Sequence, residues 1–102
     1  MRKENFEKTY NHLIEESKHS SHGFWKPEDF KEWGKRSLNL IDEVYGVSSQ
    51  YYTLFLRTHH EALVIGTNDS RFDTSVSVCI AILRSVYNES VKTTRVQDSL
   101  QN

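Results

Sequence analysis

Four stretches of the chain repeat their apolar residues at helical spacing, and one proline and a few glycines separate them. Between Met1 and about Ser20, Phe6, Tyr10, Leu13, Ile14 and Ser17 follow an i, i+4, i+7, i+8 rhythm, while Lys8, Glu15, Glu16 and Lys18 fill the gaps with charge. This predicts an amphipathic helix over 3–19. Its narrow stripe needs a partner surface, because propensity alone contributes little. Residues 18–30, "KHSSHGFWKPEDF", break the pattern and read as a connection. Pro27 then supplies a helix start, and Glu28 and Asp29 suit the positive end of the helix dipole. The helix predicted over 27–45 carries Phe30, Trp33, Leu38, Ile41, Val44 and Tyr45 on one broad face, and Gly46 ends it as a left-handed cap. Gly34 lies inside this helix at a cost of roughly 1 kcal/mol relative to alanine. A helix or aromatic ring approaching closely at that point would explain the choice.

The third helix is predicted over 49–60, with Ser48 able to cap it and Tyr51, Leu54, Phe55 and Thr58 as its buried stripe. Tyr52 and Leu56 fall off that stripe. The short run "ALVI" at 62–65 fits a helix extension, a buried loop or a short strand. The favoured reading ends the helix near His60 and makes 61–72 an irregular packed segment. The last helix, over 73–91, repeats Val76, Cys79, Ile80, Leu83, Val86 and Tyr87, is the most apolar of the set and should be central. A polar tail, "KTTRVQDSLQN", follows. The fold expected is all-α, a small four-helix domain spanning residues 1–102.

Composition sharpens this picture. Only 36% of the 102 residues are apolar but 12% are aromatic, so the core positions should be few and large. Thirteen basic against fourteen acidic residues leave a formal charge of −1, which gives no long-range pull toward nucleic acid or anionic membrane. Cys79, the sole cysteine, sits among valines and isoleucines and reads as a small core residue. The start "MRKENFEKTY" lacks the apolar segment of a signal peptide, and no stretch approaches the about 20 residues that span a bilayer. A cytoplasmic protein without a membrane partner is expected.

Candidate chemistry adds little. In "GTNDSRFDTSVSV", residues 66–78, Asp69 or Asp73 can cap the last helix and Arg71 can pair with them. Two carboxylates would repel a phosphate from that helix start, and Gly66 stands without further glycines or a lysine. His12, His19 and His22, and the pair His59–His60, lack the convergent support a zinc site needs. His59, Glu61, Asp69 and Asp73 are acid–base candidates, but no pattern makes them meet. No catalytic residue, metal or cofactor is therefore expected, and the chain does not read as an enzyme. For nucleic acid, Lys31, Lys35 and Arg36 are the best basic candidates. Glu28, Asp29 and Glu32 cancel most of their field.

Trp33 together with "LNLIDEVYG" at 38–46, "SQYYTLF" at 49–55 and "AILRSVYNE" at 81–89 resembles an N-terminal helical module of bacterial phage-defence proteins, the abortive-infection and TIR-like effectors. The matching positions are Trp33, Leu38, Ile41, Tyr45, Gly46, Ser49, Phe55, Ile82 and Leu83. Such modules accompany an effector domain, so the resemblance implies a sensing, docking or oligomerising role and carries over no catalytic residue. The expectation is a protein–protein interaction or self-association module in a bacterial or phage conflict system. Its contacts would come from aromatic side chains beyond those a four-helix core absorbs: Phe24, Trp25, Tyr52 and Phe72. The alternatives are a stand-alone phage-encoded inhibitor of a host defence complex and a nucleic-acid-binding regulator.

Overall fold

A computed structural model describes residues 3–20 and 25–101, with side chains placed over 5–18 and 25–91. The chain forms four helices: α1 (Lys3–Ser20), α2 (Pro27–Tyr45), α3 (Gln50–Ile65) and α4 (Ser70–Gln101). The all-α architecture is as the apolar rhythm predicts. α2, α3 and α4 follow one another as antiparallel neighbours joined by tight turns, and α1 lies across α2 and α4. At about 1.5 Å per residue the 32-residue α4 spans about 48 Å, which accounts for the longest dimension, 52 Å.

Both turns share one construction. Gly46 and Gly66 have φ +85° and +90°, a region an L-residue with a Cβ rarely adopts. Each glycine N–H donates back to a helix carbonyl, Gly46 to Asp42 and Gly66 to Ala62. Each glycine carbonyl accepts from the residue three positions on, Ser49 and Asp69, at 3.3 Å in both cases. Those two residues then cap the next helix. The Ser49 hydroxyl accepts from the Tyr52 N–H at 3.1 Å, and Asp69 Oδ1 accepts from the Arg71 N–H at 2.9 Å. The α3 cap is therefore Ser49 rather than Ser48. Of the two aspartates proposed for α4, Asp69 does the capping.

The segment 61–72 is not irregular. α3 continues through "ALVI" to Ile65, the turn occupies 66–69, and α4 starts at Ser70. The reason lies in the stripe: Phe55, His59 and Ala62 are buried at i, i+4, i+7, so the core demands one more turn of helix. That register turns Leu54 outward to 48% exposure, where the sequence placed it inside. α4 likewise runs past 91 to Gln101.

The core is built around rings. Phe30, Trp33 and Phe55 are fully buried, and Trp25, Phe72 and His59 pack onto them. Leu40, Ile41, Cys79, Leu83 and Val86 extend the core toward α4. α1 is tied on by three different devices. Trp33 Nε1 donates to the Leu13 carbonyl at 2.9 Å, Arg36 forks onto Glu16, and Tyr87 stacks on Tyr10 with centroids 4.3 Å apart. The hydroxyls of buried Ser17 and Ser37 return to the carbonyls of Ile14 and Trp33, which meets the need of a polar group removed from water.

Candidate functional site: a charged groove between the first two helices

The residues singled out in the sequence separate into three fates. Trp25 and Phe72 are core residues, 8% and 2% exposed, and this corrects their assignment as contact anchors. Trp25 lies edge-on to Phe30 at 5.3 Å and tilted against Trp33 at 5.5 Å, while Phe72 meets Phe30 edge-on at 4.9 Å. The four-helix core absorbs both because Phe30 and Trp33 present ring faces at the end where α2 and α4 begin. Tyr52 is half-buried against the core and receives the cap of α3. Phe24 lies outside the described residues. Among the described residues the large apolar side chains left exposed are aliphatic instead: Val47, Leu54, Leu56, Val64 and Val78.

The acid–base candidates do not converge either. His59 is buried, its ring lying 4.4 Å from Phe30 and 5.9 Å from Phe55, stacked on both. Its Nε2 is 2.9 Å from the Phe30 carbonyl, which can only accept, so Nε2 carries the proton. Burial pushes this imidazole below its ordinary value of 6.5; the bond to Phe30 opposes that shift and neighbouring His60 adds to it. Asp69 and Arg71 form a local exposed pair, with Nη2 to Oδ2 at 2.8 Å. Hydrogen bonds from Arg71 hold the Asp69 carboxyl down to about 2. Glu61 and Asp73 are exposed on different helices. Burial pushes the Cys79 thiol up to about 12, which suits a core residue and not a nucleophile. Among the described residues no group of three His, Cys, Asp or Glu side chains could hold a metal ion. Among them, too, no helix is long and apolar enough to cross a membrane.

The basic candidates are likewise divided. Arg36 gives Nη1 and Nη2 to the two oxygens of Glu16 at 2.8 and 3.0 Å, a bidentate pair joining α2 to α1. Lys31 and Lys35 are exposed on α2, but Glu28, Asp29, Glu32, Asp42 and Glu43 are exposed on the same helix. The outer surface of α2 is thus acidic on balance, the wrong sign for a phosphate backbone.

What the sequence did not show is a groove of about 650 Å³ between α1 and α2. Leu13 and Leu40 form its floor. One wall carries Lys8, His12 and Glu15 from α1, and the other carries Arg36, Asn39 and Glu43 from α2. The Trp33–Leu13 and Arg36–Glu16 contacts hold α1 against α2 beside this groove. Each wall has a cation at one end, neutral polar groups in the middle and a carboxylate at the other. Lys8/Glu15 and Arg36/Glu43 are both i, i+7 pairs, a spacing visible in the sequence. Their convergence requires the pairing of two helices, which it does not show. No protein-family model, curated protein or solved structure matches the chain.

Proposed function

We propose that this domain works by binding protein, and that its first partner is a second copy of itself. The observation that supports the reading is the α1–α2 groove of about 650 Å³, with walls of both charge signs above a leucine floor. Mixed-sign walls suit a protein surface, which offers both signs in return, better than a polyanion or a uniformly charged ligand. The side chains with reactive chemistry are elsewhere: His59 and Cys79 are in the core, and Asp69 is held by Arg71. The setting in a bacterial or phage conflict system rests on the resemblance alone. The positions that carry it, such as Trp33, Ile41, Phe55 and Leu83, are fully buried, so they speak to the scaffold and not to the partner.

Light scattering over a hundredfold range of concentration tests self-association. A mass that rises from monomer toward dimer supports it, and a constant monomer mass overturns it.

A further inference from the structure

The start of α2 is held differently from the starts of α3 and α4. Ser49 and Asp69 cap those two helices with their own side chains, whereas Lys26, at the corresponding position of α2, makes no side-chain cap. Pro27 sets the backbone for a helix but has no N–H to anchor. Trp25, just ahead of it, is buried, and its indole N–H has no hydrogen-bond partner among the described residues. This end of α2 is held instead through Phe30. The Phe30 ring gathers Trp25, Trp33 and Phe72, and its carbonyl accepts from His59 of α3 at 2.9 Å. The imidazole also closes the seam between the two helices, because it lies on the bare backbone of Gly34, where no side chain can take its place.

We propose that His59 is an acid-operated latch: a proton on its ring drives the ring out of the α2–α3 seam, and the start of α2, with Trp25 and Phe30, comes away while the rest of the bundle stays folded. The bond to Phe30 is not what fails, since a charged imidazolium still donates from Nε2. The loss is of water around the charge. The ring is 6% exposed and stacked on Phe30 and Phe55, a site where an unpaired charge is costly. The charged groups nearby give no relief. On α3, His60 opposes a second positive charge beside it. On α2, Lys26, Glu28, Asp29 and Lys31 are exposed; at the start of α4, Asp69 is taken by Arg71 and Asp73 is exposed. Among the described residues none of these is ion-paired with the ring. The other ties of the bundle lie outside the seam: Tyr45 on Tyr51 at the far end of α2, Arg36 on Glu16, and Tyr10 on Tyr87. The proton therefore frees one helix end and leaves the scaffold.

Amide hydrogen exchange of the wild-type chain, referred to the intrinsic rate at each pH, reads the opening directly. As pH falls from about 7 to about 5, exchange at amides 30–34 should quicken by up to about tenfold per pH unit, the slope of one proton taken up on opening. Amides 83–87 of α4 should keep their protection. Tryptophan emission should shift to the red over the same range with helical circular dichroism nearly unchanged. His59→Gln keeps an N–H for the Phe30 carbonyl and takes no charge, so it should abolish the pH dependence of both signals. Three results overturn the latch: no quickening at 30–34, loss of protection at 30–34 and 83–87 together, or acid opening that persists in His59→Gln. If His59→Gln does not fold, the wild type decides alone. Its His59 ring signals must then titrate in step with exchange at 30–34, and titration out of step overturns the proposal.

Discussion

Gly34 on α2 and His59 on α3 occupy each other's space: a Cβ on Gly34 would fall within the His59 imidazole. The missing side chain lets the ring lie against the α2 backbone and reach the Phe30 carbonyl one turn earlier. The two helices are locked by a contact that helix propensity alone would disfavour. Alanine is a better helix former than glycine by roughly 1 kcal/mol, so propensity predicts that Gly34→Ala stabilises. Overpacking predicts the reverse, a loss of about 2–3 kcal/mol. Chemical denaturation decides between them. The double variant Gly34→Ala/His59→Ala should lose less than the sum of the two single changes, because each removes half of one contact.

Acid should act through the same ring. In the unfolded chain His59 takes up a proton near 6.5, but in the fold burial resists it. Below that pH the unfolded state therefore binds more protons, and stability falls as pH drops from about 6.5 toward the depressed folded value. A plot of melting temperature against pH should bend downward in that window, and His59→Gln should flatten the bend. Asp69 acts in a second, lower window. Its folded value of about 2 lies below the ordinary 3.8, so its contribution is present above 3.8 and lost as pH falls toward 2.

The two tryptophans should respond differently to the same change. Trp33 is fully buried and its N–H holds the Leu13 carbonyl of α1, whereas Trp25 Nε1 is buried with no hydrogen-bond partner among the described residues. Trp33→Phe loses a hydrogen bond and leaves a cavity, at about 2–3 kcal/mol. Trp25→Phe deletes an unsatisfied donor along with its ring volume and should cost about 1 kcal/mol or less. Urea unfolding of both variants checks the order, and equal losses would contradict the assignment.

Cys79 offers a probe of the closed core. With its thiol buried and pushed up to about 12, it should resist a thiol reagent at pH 8 in the native protein and react at once in denaturant. Fast native labelling would show that α3 and α4 open readily.

Much of the scaffold was legible because its signals are local. Pro27 and Gly46 bound α2 where their backbone chemistry says they must, and Gly34 announced a close neighbour before His59 could be named. The end of α3 was misjudged because "ALVI" carries β-branched residues, and only the burial of Ala62 shows that packing overrides their preference. Trp25 and Phe72 were assigned to the surface because a sequence does not show how many rings a core will take. Phe30 gathers both. The groove was least visible of all, since Lys8, Glu15, Arg36 and Glu43 line one concavity only once α1 packs against α2.

Self-association through the groove between α1 and α2 is the proposal that solution measurements reach most directly. A dilution series of nitrogen–proton correlation spectra reads this residue by residue. Signals from 8–15 and 36–43 should move with concentration while those around Leu56, Val64 and Val78 stay still. Signals that never move, or that move only on the outer surfaces of α3 and α4, would contradict it.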